Sequence, residues 1–386
     1  MTQKFSLPRA AALLGLLALG ACGGGLGDTP SAPPVLTAPI APPAVDAGEV
    51  IGEGAITVAM LLPISAGGSA SGLAEAFKNA ATLAMGDVEE DQIRIVVRDT
   101  GGDGETARAA AETAIADGAQ AILGPVFAPA VAGASEPARA ANVPVVAFST
   151  DASVTGRGVY LLSFLPRQDA KRIVAFAARR GVRAFAGLVP ENGYGLLMEA
   201  ALREAVSSTG GRVTTVERYA PGGLDAAVAA IAARGAVEAV FVPNGGDDPT
   251  AAASALRTRG INARLLGSGQ WDTSAVAQNP ALSGAWFPGP SKGNFEAFAR
   301  RFEVANGVAP PRTASLVYDA TLLLNGLVAT RGAAAFRRQA LENTDGYIGL
   351  DGIFRLTRDG LSERGLAVYE VQNAGVRVID PAPAQF

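Results

Sequence analysis

The stretch that decides the fold runs from Gln120 to Ser153, QAILGPVFAPAVAGASEPARAANVPVVAFSTDAS. Two short apolar runs, Ala121–Leu123 and Val143–Phe148, flank a Gly-Pro turn and an Ala-rich segment, which is the pattern of a buried parallel βαβ unit. Each run stops abruptly, the first at Gly124-Pro125 and the second at Ser149-Thr150-Asp151-Ala152-Ser153. Small and hydroxyl-bearing residues therefore collect just past the carboxyl ends of two neighbouring strands. In an open α/β sheet that edge is where ligands bind.

The same alternation extends in both directions. Upstream, the apolar run Ala55–Leu62 ends at Pro63 and a loop of small residues, Ser65–Ser71, follows. A helix then carries Leu73, Phe77, Ala80, Ala81 and Ala84 on one face. Next come a strand at Ile93–Arg98, the turn Asp99–Gly104, and a helix over Glu105–Asp117 that closes at Gly118. Downstream, a short run at Val159–Phe164 completes the set, and the pattern restarts. Helices are expected at Asp169–Arg180, Tyr194–Ser207, Leu224–Ala233 and Thr250–Arg259. Strands are expected at Phe185–Val189, Arg212–Tyr219, Ala239–Val242 and Arg264–Gly267, with polar loops after them. Pro288–Gly293 reads as a return crossing, two helices follow near Asn294–Asn306 and Arg312–Thr330, and the tail from Gly346 breaks into short strands. Regular alternation of strand and helix predicts doubly wound, parallel sheets with right-handed crossovers.

Composition narrows the chemistry. With 386 residues and 49% of them apolar, the chain can bury one large core or two ordinary ones. A net charge of −4, and no basic run interleaved with aromatics, gives no field for nucleic acid. The chain has no histidine, which removes the commonest general base and metal ligand, and one cysteine, which removes disulfides and cysteine-based zinc motifs. Gly289-Pro290-Ser291-Lys292-Gly293 fits a nucleophile-elbow spacing but has no His to activate its Ser. Asp99–Glu105 and Asn244–Asp248 have the texture of calcium loops without the ligand spacing, so solvated turns are the expectation. No phosphate loop is present. The sequence thus predicts a non-enzymatic protein with no cofactor and no metal.

The single cysteine is Cys22. Lys4 and Arg9 precede an apolar run, Ala10–Leu19, too short to span a membrane but suited to a signal-peptide core, and the run ends in Leu19-Gly20-Ala21-Cys22. This resembles the lipobox of bacterial lipoproteins, which implies a signal over residues 1–21 and lipidation of Cys22. Gly23 in place of Asp implies an outer-membrane anchor facing the periplasm. Residues 22–50 are rich in Pro, Ala and Gly and are expected to form an extended tether.

The segments ITVAMLLPIS, VVRDTGG, AILGPVFAPAV, VPVVAFSTDAS, GLVPENGYG, VFVPNGGDD and LLGSGQWD, in this order, resemble type I periplasmic binding proteins of the leucine/isoleucine/valine class. The resemblance covers Ile56 to the end. It implies a two-lobed α/β fold, each lobe a doubly wound, mainly parallel sheet, with a ligand cleft between the lobes. It also implies three interlobe crossovers, near Phe164–Arg167, Pro288–Lys292 and Asp345–Gly349. The first lobe would comprise 51–165 with 291–345, and the second 166–290 with 346–386. The cleft residues so implied are Ser65, Phe127, Ser149, Thr150, Asp151 and Ser153 from the first lobe, and Asn192, Tyr194, Asn244, Gln270, Trp271 and Asp272 from the second. Ser153 and the Tyr194-Gly195 turn match the amino-acid binders, whereas Val126–Ala132 lacks the Ser or Thr expected for a carboxylate clamp. The segments around Phe164–Arg167, Pro190–Tyr194 and Gln270–Asp272 look more like lipoproteins that activate penicillin-binding proteins. The expectation is therefore a periplasmic regulator whose partner is a peptidoglycan synthase. The alternative is a receptor that passes an amino-acid-like ligand to an ABC importer.

Overall fold

The computed structural model describes residues 48–373 and 375–386. Cys22, the expected signal segment and nearly all of the expected tether lie outside the described residues. The first sheet is built from β1 (Val50–Ile51), β2 (Ile56–Leu62), β3 (Ile93–Asp99), β4 (Ala121–Leu123), β5 (Val145–Ala147) and β6 (Val159–Leu161). Its spatial order is β1-β3-β2-β4-β5-β6, with every pairing parallel except the edge strand β1. The helices α1 (Gly68–Met85), α2 (Gly104–Ala116) and α3 (Ala128–Ala141) connect these strands.

Strand geometry explains why short apolar runs suffice. Side chains alternate between faces, so Val58, Met60 and Leu62 of β2 enter one core while Ala59 and Leu61 enter the other. Both faces are covered, which is why β2 reads as a continuous apolar run. The first core packs α1 under a later helix, and the second packs α2 against α3. Ala107, Ala111, Ala134 and Ala138 fill the α2–α3 side, where larger side chains would hold the helices apart.

The second sheet uses the same construction. The chain crosses through Phe164 into α4 (Pro166–Arg179) and then follows β7 (Ala184–Pro190), α5 (Gly193–Ser208), β8 (Arg212–Tyr219), α6 (Leu224–Ala233), β9 (Ala239–Phe241), α7 (Asp248–Thr258) and β10 (Arg264–Leu266). A short α8 (Ser274–Ala277) leads to β11 (Trp286–Gly289), after which the chain returns to the first lobe as α9 (Gly293–Asn306) and α10 (Ala314–Arg331), then a short α11 (Arg338–Leu341). Phe298, Phe302 and most of α10 complete the first core beside α1.

The last third of the crossing scheme differs from expectation. Three short strands, β12 (Tyr347–Gly349), β13 (Gly352–Leu356) and β14 (Ser362–Arg364), form a sheet of their own, and Phe354 and Leu356 pack into the first lobe's core. The Leu161 amide donates to the Gly360 carbonyl at 2.7 Å, tying this small sheet to β6. The chain joins the second sheet only at β15 (Ala367–Gln372), antiparallel to β11, and ends that sheet with β16 (Gly375–Asp380). The third crossover therefore follows Arg364 instead of lying at Asp345–Gly349. The Gly-broken tail hid this, because its strands are too short for sequence to say which sheet they join. The fold is the expected one, two α/β lobes joined by three crossovers.

The crossovers converge on Phe164. The Arg312 guanidinium lies 5.1 Å from its ring centroid and 3.9 Å from that of Phe295, while Arg364 lies 5.1 Å from Phe164 and 5.2 Å from Phe354. Arg312 is bonded to buried Asp351, and Arg364 faces buried Asp319 at 3.8 Å. Cation–π contacts of this kind strengthen where water is excluded.

Candidate functional site

The carboxyl ends of the parallel strands in each sheet carry the residues singled out from sequence, and the first and second crossovers leave from those same ends. In the first lobe, the loop after β2 and the turn after β3 are tied together. Asp99 Oδ1 accepts the Ser65 amide at 3.1 Å and the Gly101 amide at 2.9 Å. Burial raises the Asp99 carboxyl, but these donors outweigh it and hold it below the usual carboxylate range. Gly102, with φ of +82°, lies against Ala66 and Phe127: a Cβ there would sit 3.2 Å from Ala66 Cβ and 3.6 Å from the Phe127 ring. Phe127 precedes α3 and offers no side-chain cap, and 36% of it is exposed at this lip.

Ser149 to Ser153 form a turn that bonds to itself. The Asp151 amide donates to Ser149 Oγ at 3.2 Å, and Asp151 Oδ1 accepts the Ser153 amide at 2.9 Å. Hydrogen bonds from the Ser153 side chain and amide hold the Asp151 carboxyl below its ordinary value. Thr150 and Ser153 are exposed, while Ser149 is buried. The Phe148 amide donates to the Pro125 carbonyl at 2.9 Å, so the two strand ends of the opening stretch are physically joined.

The second lobe gathers Tyr194, Asn244, Gln270 and Trp271 around the loops after β9 and β10. Asn192 caps α5, its Oδ1 accepting the Gly195 amide at 2.9 Å. A Cβ on Gly195 would lie 1.8 Å from the Pro190 carbonyl oxygen, so this turn admits only glycine. Tyr194 Oη donates to the Pro243 carbonyl at 3.2 Å and lies 3.4 Å from Ser268 Oγ, and burial pushes the phenol up to about 12. Gln270 Oε1 accepts the Gly245 amide at 3.1 Å.

Trp271 corrects the expectation. It is fully buried within the second lobe's core, not a cleft wall, and its Nε1 donates to the Asn244 carbonyl at 3.0 Å. Gly267 makes room for its ring, since a Cβ there would come within 2.2 Å of Trp271 Cδ2. An indole whose single N–H finds a loop carbonyl buries without an unpaired donor, and here it pins that loop to the core. Asn244 Nδ2 in turn donates to Asp248 at 2.5 Å.

Asp169, Ser268 and Lys292, which sequence reasoning missed, lie at the same edge. Asp169, in the first turn of α4, accepts the Gly269 amide on Oδ2 at 2.8 Å, and burial pushes its carboxyl up to about 7. Ser268 Oγ donates to the Pro243 carbonyl at 2.5 Å and accepts the Gln270 amide. Asp272 is ion-paired with Lys292, which sits at the second crossover just before α9. The Lys292 ammonium lies 5.1 Å from the ring centroid of Tyr369, and the Tyr369 hydroxyl donates to the Pro290 carbonyl at 2.8 Å. An acid in a helix's first turn reads as ordinary dipole stabilisation, so Asp169 gave no local signal. Lys292 had one, a lone cation between a strand end and a helix start.

Two α/β lobes with polar strand ends flanking one hinge define a cleft-type binding protein. The chain belongs to the periplasmic binding protein family, whose model matches residues 55–376. Solved structures agree in fold. A protein from Rhodospirillum rubrum described as a branched-chain amino acid ABC transporter superposes with a TM-score of 0.74 at 22% identity, covering 84% of this chain and 99% of its own. A leucine-binding protein from Thermotoga maritima gives 0.58 at 19% identity, covering 85% and 98%. A solute-binding protein from R. palustris in complex with benzoate gives 0.57 at 20%, covering 86% and 98%. No curated protein matches the chain. Among the described residues, no helix is long and apolar enough to cross a membrane.

Proposed function

We propose that this protein is a periplasmic solute-binding receptor of the branched-chain amino acid ABC type, holding a small polar ligand between its lobes for delivery to an importer. The observation that carries this reading is the pair of strand-end edges on either side of the three-crossover hinge, in a chain whose family model spans 55–376. Ser65, Phe127, Thr150 and Ser153 would line one side, and Tyr194, Gln270 and Asp272 the other. Ser149 and Asp151 would shape their turn, Asn192 would set the start of α5, and Asn244 would hold its loop against Trp271.

The regulator of peptidoglycan synthesis, with a penicillin-binding synthase as partner, finds support neither in the solved relatives nor in the site. Its sequence motivation was the likeness of Phe164–Arg167, Pro190–Tyr194 and Gln270–Asp272 to the activator lipoproteins, with Gly23 and a Val126–Ala132 stretch bare of hydroxyls; that stretch carries the exposed Phe127, suited to a ligand's apolar body. The proposal keeps Cys22 as the lipid attachment and an outer-membrane anchor facing the periplasm. It assigns the chain no catalytic step. Native mass spectrometry of the protein released gently from the cell envelope tests it. A co-purifying mass of amino-acid size that is lost on denaturation supports the receptor. Co-isolation of a peptidoglycan synthase with an empty cleft would sink it.

A further inference from the structure

We infer that the amino-terminal edge of the second sheet is a docking surface for an anionic lipid bilayer, its arginines meeting the lipid phosphates. This does not depend on which solute the cleft takes, only on the chain lying beside a membrane, as lipid attachment at Cys22 would place it. The surface is the end of the second lobe opposite the strand ends described above. There the Arg264 amide donates to the Glu238 carbonyl at 2.8 Å, the Glu238 amide to the Ala184 carbonyl at 2.9 Å and the Arg212 amide to the Arg183 carbonyl at 2.8 Å. β10, β9, β7 and β8 therefore begin side by side, in a row about 14 Å across at ordinary strand spacing.

Three of these strand starts carry an exposed arginine, Arg183, Arg212 and Arg264, and the helix ends beside them add Arg180 after α4, Arg234 after α6 and Arg257 in the last turn of α7. They are scattered along the chain, so the sequence shows no basic run. The second lobe's ion pairs use other cations, and none of the six forms one among the described residues. Helix ends account for half of them, since a cation there complements the macrodipole. Arg183, Arg212 and Arg264 open strands, whose net dipoles are small. Two acids meet the edge. Glu238 accepts the Arg183 and Ala184 amides at 2.6 and 3.0 Å, and Glu370 accepts Trp286 Nε1 at 3.2 Å and is paired with Arg377. The edge is thus strongly positive in a chain whose net charge is −4.

Uncharged groups hold these side chains in place. Arg183 Nη1 donates to the Ala178 and Val182 carbonyls at 2.7 and 3.0 Å, Arg257 Nη2 to the Ala281 carbonyl at 3.2 Å and Arg264 Nη1 to the Gly284 carbonyl. The Arg180 and Arg264 guanidiniums lie 5.1 and 4.6 Å from the ring centroids of Phe176 and Trp286. Their positions are set while their charge stays uncompensated, and a planar guanidinium fork matches phosphate oxygens. Arg180, Arg257 and Arg264 share a surface groove of about 720 Å³ with Glu238, and Arg183 and Arg212 extend the row past it. One small anion would meet only part of that row. A bilayer surface meets all of it, and each arginine near anionic headgroups adds its own attraction.

Vesicle flotation of the full-length chain, carrying Cys22→Ser so that no acyl chain is attached, tests this with phosphatidylcholine vesicles made with and without phosphatidylglycerol. Docking predicts partitioning onto the anionic vesicles at least about tenfold above the neutral ones at low ionic strength, lost in high salt. The triple variant Arg183→Gln, Arg212→Gln, Arg264→Gln should lose at least about tenfold of it, and the same three positions changed to Lys should keep most of it, which separates lost charge from lost folding. Arg108→Gln, Arg139→Gln and Arg300→Gln together remove equal charge from exposed helices of the first lobe and should stay within about twofold of the parent. Equal binding to both vesicle types overturns the inference, as do equal losses for the two Gln triples or a Gln triple at the edge that binds like the parent. Capture by immobilised poly-L-glutamate without vesicle binding would also overturn it, and would point to an acidic protein partner instead. None of these outcomes bears on solute binding in the cleft.

Discussion

Replacing Asp169 by Asn should change how stability depends on pH. In the native protein the carboxyl is pushed by burial from 3.8 up to about 7, with the single Gly269 amide bond pulling the other way. A carboxyl raised in the folded state keeps a proton that the unfolded chain has released. Its contribution is therefore fully present below about pH 4 and is lost as pH rises through about 7. The shift corresponds to a ceiling of about 4 kcal/mol. The residue keeps an exposed edge, so about 2 kcal/mol is the working figure. Asn retains the acceptor for the Gly269 amide and is neutral at every pH. The stability of Asp169→Asn relative to the parent should thus rise by about 2 kcal/mol between about pH 4 and pH 8. Urea unfolding at constant ionic strength, followed by tryptophan fluorescence, reads this directly, since both tryptophans, Trp271 and Trp286, are buried in the second lobe beside the loop Asp169 holds. A difference that stays flat within about 0.5 kcal/mol across the range would show that the carboxyl titrates normally and that the burial argument fails.

Other expectations are local. Gly195→Ala places a methyl 1.8 Å from the Pro190 carbonyl oxygen and should cost about 2–3 kcal/mol in urea unfolding; a loss under about 0.5 kcal/mol would mean the turn relaxes freely. Trp271→Ala empties a fully buried site and should cost about 3–5 kcal/mol, whereas a cleft-wall residue would lower ligand affinity with little effect on unfolding. Asn192→Ala removes the α5 cap and should cost about 1 kcal/mol, with Asn192→Asp close to neutral; equal losses for both would deny the capping role.

Much of this architecture was legible because parallel strands covered on both faces must be apolar throughout. Ala121–Leu123, Arg212–Tyr219 and Leu224–Ala233 form elements with the bounds read from sequence. The tail was not legible: Tyr347–Arg364 and Ala367–Asp380 share one texture, yet the first group packs on the first lobe and the second extends the other sheet. Within the site, position was easier to read than role. The strand-end rule pointed to Ser149–Ser153, and the family resemblance to Tyr194 and Gln270, but whether a polar side chain is free or already engaged depends on backbone groups brought in by the fold, as Asp151 and Tyr194 both show. Trp271 was misread because a Gly-rich loop looks open in sequence, while Gly267 here serves to admit the indole into the core. Lys292 was passed over because it lies in a stretch that resembled a nucleophile turn, and its partner Asp272 is twenty residues away.

The central claim, that the two lobes close on a small amino-acid-like solute, is tested most directly by calorimetric titration of the purified protein with L-leucine, L-isoleucine and L-valine, paired with small-angle scattering before and after saturation. The account predicts one-to-one binding with Kd below about 100 µM for at least one of them, together with a smaller radius of gyration on binding. No heat and an unchanged radius with all three at millimolar concentration would contradict it.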